Sequence, residues 1–392
     1  MLYYNITNAP RAKGVRVSGR GRGEFVRYRV NRRTGDRISE VGMGSAYLYE
    51  AGTKAAVAAL ERAVEGGINF FDLAAGDGAA FPMYGQALHS VRDRVLYQIH
   101  FGADYTSGSY GWSLDAETIK RSVAWQLEQL KTDHIDYGFI HCQDELSDWE
   151  TYRKNGVYDY VCSLKKQGVV RHIGLSSHTP AVAVRIMDEA DADMLMFSVN
   201  PAYDYGHGEF ANGSVDERAQ LYSRCERDGT GISVMKPFSG GQLLNAASSP
   251  FGKALTVYQC IKYALDKPGV LTVVPGAAGV SQVEALLRYF DQPEEALDYS
   301  VIGTFAPAAA EGKCVYCGHC RPCPAGIDIG LVNKYYDLAL AGDAMAAQHY
   351  RTLERTAADC VSCGHCDGRC PFHVEQSARM AQINKYFQEG QQ

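Results

Sequence analysis

Between residues 314 and 371 the chain sets eight cysteines in two runs. The first is Cys314-x2-Cys317-x2-Cys320-x2-Cys323-Pro324 and the second Cys360-x2-Cys363-x2-Cys366-x3-Cys370-Pro371. Each x2 spacing lets the backbone curl around one iron, so three thiolates of a run can take three corners of a cubane. The fourth cysteine, just ahead of proline, is directed away and ligates the other cluster. One [4Fe–4S] cluster is therefore expected on Cys314, Cys317, Cys320 and Cys370, and a second on Cys360, Cys363, Cys366 and Cys323. Cys-x2-Cys pairs also bind zinc. Two tandem four-cysteine runs, each closed by Cys-Pro, are far more specific to iron and sulfur. The expectation is an oxygen-sensitive redox protein.

The chain has twelve cysteines in all. Cys162, Cys225 and Cys260 fall in helix-like segments and read as small core residues, while Cys142 directly follows a histidine. No signal-peptide pattern opens the sequence, and no apolar run approaches the ~20 residues that a membrane span needs. A cytoplasmic protein is expected, where thiols stay reduced and serve metals. A net charge of −6 gives no reason to expect nucleic acid. From Arg11 to Arg37, however, ten Lys or Arg residues face only Glu24 and Asp36, with Gly-Arg-Gly-Arg-Gly at Gly19 to Gly23. That run suits an acidic partner or a phosphate, or more plainly a solvated, twisted hairpin.

From about Arg37 to Asp291 short apolar runs alternate with amphipathic stretches of helical period. Strands are expected at Ile38–Ser45, Asn69–Ala75, Val95–His100, His134–His141, His172–Ser177, Met194–Asn200, Ile232–Pro237 and Leu271–Gly276. Helices are expected at Thr53–Glu65, Asp115–Leu130, Trp149–Lys166, Pro180–Ala190, Val215–Asp228, Tyr258–Lys267 and Ser281–Phe290. Eight alternations with continuous apolar strands point to a closed parallel (β/α)8 TIM barrel. A doubly wound open sheet is disfavoured, because no glycine-rich fingerprint follows the first strand. The expected domains are an N-terminal hairpin or extension over 1–36, a barrel over 37–292, and a linker with an iron–sulfur domain and closing helix over 293–392.

The barrel sequence resembles the aldo-keto reductase family. The resemblance rests on Gly42-Met43-Gly44, Gly67-Ile68-Asn69-Phe70-Phe71-Asp72, Leu130-Lys131-Thr132-Asp133-His134-Ile135-Asp136 and Phe139-Ile140-His141. It continues through Ile173-Gly174-Leu175-Ser176-Ser177-His178, Met235-Lys236-Pro237 with Gly240-Gly241, and Val274-Pro275-Gly276. The tail resembles the branch of that family with a C-terminal ferredoxin-like domain. Members typically reduce carbonyls with NADPH through an Asp, Tyr, Lys, His tetrad at the strand ends. The resemblance implies that Asp72 is the Asp and His141 the His. It also places Ser176, Ser177, Asn200 and Lys236 near a nicotinamide. Two tetrad positions depart: Asp77 stands where the Tyr is expected and His100 where the Lys closes the third strand. Met196 replaces the expected Gln, which counts against the nicotinamide.

These departures change the chemistry that is expected. A carboxylate for a phenol and an imidazole for an ammonium remove an acid and a permanent charge. Asp72, Asp77, His100 and His141 form a set suited to proton transfer or to one metal ion, which Cys142 can join. Tyr84 is a candidate replacement acid, and Tyr105, Tyr110, Tyr203 and Tyr205 are further loop candidates. Three functions stay open. One is an iron–sulfur oxidoreductase acting on a small carbonyl or hydroxy compound, with NADP(H) undecided and a ferredoxin or other redox partner allowed. The others are a non-redox lyase or isomerase, and an electron-transfer subunit on a scaffold barrel.

Overall fold

The computed structural model describes residues 26–304, 311–343 and 345–389. They form two compact units, one of residues 26–199, 231–238 and 271–292, the other of residues 200–230, 239–270, 293–304, 311–343 and 345–389. Gly19 to Gly23 lie outside the described residues. None of the described helices is long and apolar enough to cross a membrane.

The first unit is built on a parallel sheet. A short antiparallel ribbon comes first, β1 (Tyr28–Val30) and β2 (Arg37–Ser39). The sheet strands β3 (Met43–Gly44), β4 (Phe70–Asp72) and β5 (Leu96–Phe101) follow. A second ribbon, β6 (Ala103–Asp104) with β7 (Gly111–Trp112), interrupts them. The sheet continues with β8 (Ile135–Ile140), β9 (Val170–Ser177), β10 (Met194–Ser198), β11 (Gly231–Met235) and β12 (Val270–Val273). The order is β12-β11-β10-β9-β8-β5-β4-β3, and parallel bridges Val41↔Val273 and Gly44↔Gly276 join its two edges. The eight strands thus close into a (β/α)8 barrel, as their unbroken apolar character requires of strands covered on both faces.

Alternation along each strand decides what fills the barrel. Phe70, Tyr137, Phe139, Met194 and Met196 pack with Ile38 and Val274 into a buried cluster. Polar residues join it at the same level and beyond: Asp72 stands opposite Gln98 on β4 and β5, and Ser233 opposite Met196 on β11 and β10. The barrel interior therefore turns from hydrocarbon to hydrogen bonding near the end where active sites of this architecture sit.

Two local expectations are corrected. The single strand expected over Ile38–Ser45 is divided between β2 and β3. At Gly42 the chain runs so close to its neighbours that a Cβ would lie 2.8 Å from the Phe70 carbonyl oxygen and 2.9 Å from Val274 Cγ1. The single helix expected over Trp149–Lys166 is two, Leu146–Lys154 and Val157–Lys166. They part at Gly156, whose φ of +75° is open to glycine at little cost.

The described part of the basic N-terminal run is spent internally. Arg27 and Arg29 donate to the two carboxylate oxygens of Glu40 at 2.9 and 3.0 Å, and Arg33 pairs with Asp191 and Asp193. Arg37 lies over the Tyr28 ring. These contacts fit the ribbon reading of that stretch rather than an open anion site. Asp193, which also takes Lys165 and His172, is held down to about 2 despite burial that opposes it.

In the second unit, helices Ile329–Leu340, Ala346–Arg351 and Gln376–Glu389 enclose a core of Ile327, Ile329, Val332, Tyr336, Tyr350, Met380, Ile383 and Phe387. Tyr350 and Phe387 stack at 3.9 Å. The same unit buries Asp204, whose carboxylate accepts from Arg218 at 2.8 Å, Tyr222 at 2.6 Å and Tyr263 at 2.8 Å.

Asp136 gives the clearest test of what holds the barrel. It is fully buried on β8 and accepts from Arg92 at 2.6 Å, Arg171 at 2.9 Å and the Tyr97 backbone N–H at 2.9 Å. Removing one partner of a buried pair strands the other charge. Asp136→Asn should therefore cost about 3 kcal/mol, read as a lower far-UV unfolding midpoint under anaerobic conditions. An unchanged midpoint would show that the backbone carbonyls around Arg92 suffice without the carboxylate.

Candidate functional site

At the C-terminal end of the barrel Asp72, Gln98 and His100 form a buried polar layer. Asp72 Oδ1 accepts from Gln98 Nε2 at 3.0 Å and lies 2.7 Å from His100 Nε2. Gln98 is itself fixed, its Nε2 lying 3.1 Å from Met196 Sδ and its Oε1 accepting from Ser233 at 2.9 Å. His100 stands edge-on to His141 with ring centres 4.6 Å apart. Nδ1 of each histidine is buried and has no hydrogen-bond partner among the described residues. Burial first, then the charge of His100, holds the His141 pKa well below the ordinary histidine value, so its imidazole is neutral.

The mouth supplies a phenol to this layer. Tyr110, on the loop between β6 and β7, sets its hydroxyl 3.0 Å from His141 Nε2. Tyr110 is 44% exposed, and its partial burial pushes its pKa up to about 12. Tyr105 packs against Tyr110 and donates to the Ala75 carbonyl, so it supports the loop instead of facing the mouth.

Three sequence-derived candidates are placed elsewhere. Tyr84 is fully buried, its hydroxyl 2.8 Å from Ser45 and its ring edge-on to Phe71 and Tyr97. Those two residues alternate with Asp72 and Gln98, so Tyr84 lies on the outer face of the barrel wall and is not the replacement acid. Asp77 caps its own turn, accepting from Ala79 N–H at 2.8 Å, and its backbone pairs with Ser109. It does not join Asp72, so no carboxylate pair forms. Cys142 turns its thiol toward Asp144 and His178, at 3.6 and 3.5 Å, and not toward the two barrel histidines.

Of the residues expected near a nicotinamide, Ser177 hydrogen bonds to Asp144 at 3.3 Å, and Ser176 lends its carbonyl to Gln143 N–H. Lys236 follows β11 in a left-handed conformation at φ +53°, and its charge bears on His141 and Cys142. Asn200 belongs to the second unit, where it caps helix Pro201–Asp204. Tyr203 and Tyr205 belong there too. Gln98 and Ser233 were missed by sequence reasoning. Their inward positions, two residues before His100 and level with Met196, were the available signal.

In the second unit the cysteines gather in two groups. Cys323, Cys360, Cys363 and Cys366 line one cavity walled by Ile327, Ile329 and Met380. Cys314, Cys317, Cys320 and Cys370 lie close enough that their charges oppose one another, and burial pushes Cys314 and Cys320 to about 12 and Cys317 to about 11. Four converging thiols suit a polycationic centre that takes them as thiolates. The two runs also repeat, as Cys-Val-Tyr-Cys-Gly-His-Cys and Cys-Val-Ser-Cys-Gly-His-Cys. The repeat extends to the backbone, with Tyr316 and Gly318 at φ +62° and +77°, and Ser362 and Gly364 at +52° and +68°. These left-handed residues let each short loop curl around its contents. The donor sets fit [4Fe–4S] clusters.

Comparison with known proteins agrees. The model of the Aldo/keto reductase family matches residues 40–254, and that of the 4Fe-4S dicluster domain matches residues 312–374. The chain is 26% identical over 275 residues to an uncharacterized oxidoreductase, YqkF, of Bacillus subtilis, a match spanning 63% of this chain and 85% of that protein. It is 25% identical over 288 residues to L-galactose dehydrogenase of Arabidopsis thaliana, spanning 64% and 84%. Among solved structures, an aldo-keto reductase from Bacillus halodurans in its holo form superposes with a TM-score of 0.57 at 20% identity, covering 72% of this chain and 97% of that one. One from Klebsiella pneumoniae in complex with NADPH gives 0.53 at 19% identity, covering 72% and 96%. The chain belongs to the aldo/keto reductase family and is an oxidoreductase of that type, carrying a 4Fe-4S dicluster domain in its C-terminal part.

Proposed function

We propose that the chain reduces a small carbonyl compound at the barrel mouth, with the Tyr110–His141 pair handling the proton. The observation that carries this reading is the 3.0 Å contact between the Tyr110 hydroxyl and His141 Nε2. It supplies a phenol at the mouth although neither Asp77 nor Tyr84 fills that role. Tyr110 is the proton donor to the substrate oxygen, and His141 orients both the phenol and the carbonyl. Asp72, Gln98 and His100 hold the floor beneath them, the buried carboxylate satisfied by two donors.

Reduction of a carbonyl needs two electrons besides the protons. NADPH, bound by the Klebsiella pneumoniae structure, is the proposed source at the barrel, with Ser176, Ser177 and Lys236 as candidate contacts. Cys314, Cys317, Cys320 and Cys370 would hold one [4Fe–4S] cluster, and Cys360, Cys363, Cys366 and Cys323 the other. When bound, such clusters supply single-electron transfer to a partner of ferredoxin kind. A second reading, a lyase or isomerase without redox chemistry, draws on the two buried histidine Nδ1 atoms and the Asp72–His100 contact.

An anaerobic titration of cluster-replete protein with NADPH and NADH, followed by nicotinamide fluorescence and cluster absorbance together, separates the two. Saturable binding supports the reductase; no binding of either nucleotide sinks it and leaves the proton-transfer reading. In NADPH-oxidation assays over small aldehydes and ketones, Tyr110→Phe should lower kcat by roughly 100-fold with little change in KM. Unchanged turnover would remove Tyr110 from the chemistry.

Crossed ligation is tested separately. Cys323→Ser should disturb the cluster served by Cys360, Cys363 and Cys366, and Cys370→Ser the one served by Cys314, Cys317 and Cys320. Each should lower iron below the roughly eight atoms of two cubanes and alter a different electron paramagnetic resonance signal. Identical spectral changes in both variants would contradict the crossed arrangement.

A further inference from the structure

Beside the polar layer lies a second group of ligand-type side chains that the proposed reduction does not use. Cys142 and Asp144 follow β8, and His178 follows β9, the neighbouring strand. Among the described residues, this is where three such side chains bring their donor atoms all within 4.8 Å of one another. Cys142 Sγ lies 3.5 Å from His178 Nδ1 and 3.6 Å from Asp144 Oδ2, and those two atoms are 2.9 Å apart.

Two chemistries use a cysteine, a histidine and a carboxylate. A nucleophilic triad needs the thiol on one ring nitrogen and the carboxylate on the other, so that the imidazole relays between them. Here both converge on Nδ1 of His178, which a relay cannot use. Convergence of sulfur, nitrogen and oxygen on a common centre is what a metal requires. Tetrahedral zinc, with bonds of ~2.3 Å to sulfur and ~2.0–2.1 Å to nitrogen or oxygen, sets sulfur ~3.5 Å from either and nitrogen ~3.3 Å from oxygen. The two sulfur separations already match, and the nitrogen–oxygen pair needs to open by only ~0.4 Å.

The surroundings hold the ligands in place. Asp144 Oδ1 accepts the His178 backbone N–H at 2.5 Å and the Ser177 hydroxyl at 3.3 Å, which leaves Oδ2 facing the thiol and the imidazole. Gln143 N–H donates to the Ser176 carbonyl at 2.9 Å and so ties the two loops together. Orientation of ligands by such neighbours is a property of built metal sites. His178 is buried while Cys142 and Asp144 are partly exposed, so the group is open on one side.

We propose that Cys142, Asp144 and His178 bind one zinc ion at the barrel mouth, separate from the iron–sulfur clusters. Three protein ligands with an open side make a site of the catalytic kind, whose fourth position takes water or a substrate oxygen. A soft thiolate with imidazole and carboxylate selects zinc over magnesium or calcium.

The test uses full-length, cluster-replete protein equilibrated anaerobically with zinc and then freed of loose metal. Elemental analysis should give about one zinc per chain beyond the iron, and X-ray absorption at the zinc edge should show one sulfur with two or three nitrogen or oxygen neighbours. Cys142→Ser should remove the sulfur shell, and Asp144→Asn and His178→Ala should each weaken zinc binding at least tenfold with iron content unchanged. Ser177→Ala, which removes a hydrogen bond to Asp144 without touching a ligand atom, should weaken it roughly 10-fold. Retained iron and far-UV dichroism show that the variants are folded, and Asp144→Asn preserves side-chain volume if the others do not fold. No retained zinc, a four-sulfur shell that places zinc in the cluster sites, or zinc binding indifferent to all three substitutions would each overturn the proposal.

Discussion

A carboxylate buried in the mouth of a parallel barrel must be met by donors, and Asp72 sets that demand at the end of β4. Isolated in an apolar interior it would cost several kcal/mol. Gln98 and His100 answer it from the neighbouring strand, and answering it fixes them. Gln98 then needs a donor for its own carbonyl, which the Ser233 hydroxyl supplies from β11. The polar layer thus crosses the barrel from β4 to β11 through a single amide. The Asp72–His100 contact fixes the His100 ring, which stands edge-on to His141. Phe139 and Met196, packed against His100 and Gln98, supply the low dielectric that makes each of these contacts count.

What could be read in the sequence follows how directly each feature depends on local pattern. The eight strands were legible because burial on both faces leaves unbroken apolar runs. Helices Thr53–Glu65 and Val215–Asp228 were legible to the residue from their helical period. The division at Gly42 was not, since it arises from the approach of Phe70 and Val274, residues 28 and 232 positions away in the chain. Asp77 and Tyr84 show the same limit inside the site. Position relative to Asp72 pointed to Asp77, yet its carboxylate accepts an N–H of its own turn, and Tyr84, the candidate replacement, packs behind the strand wall. Tyr110 reaches His141 on a loop whose excursion no spacing rule encodes. The group of Cys142, Asp144 and His178 left only a faint trace, polar residues just after two consecutive strands.

The cysteine-rich part is legible for a different reason. Its ligands are close in sequence, so the spacing alone restricts how the backbone can run. The repeated Cys-Val-x-Cys-Gly-His-Cys carries that restriction into two loops of matching dihedral angles. The unlike residues Tyr316 and Ser362 occupy the same left-handed position, where a side chain is strained. They hold it because the flanking cysteines leave the loop no alternative, and Tyr316 gains a hydrogen bond from its hydroxyl to Asp337 at 2.8 Å.

The exchange of an ammonium for an imidazole at His100 has a consequence for the phenol. In the family pattern a permanent positive charge lowers the pKa of the acidic tyrosine. Here the partner of Asp72 carries charge only when protonated, and the phenol has moved to another loop, where partial burial raises its pKa to about 12. Such a group keeps its proton until an oxygen beside it becomes strongly basic. It is therefore suited to meet an alkoxide forming from a carbonyl, and poorly suited to take the proton of an alcohol. A phenol of this kind suits the proposed reduction, and a metal ion on Cys142, Asp144 and His178 would supply at the same mouth the positive charge that the missing lysine does not.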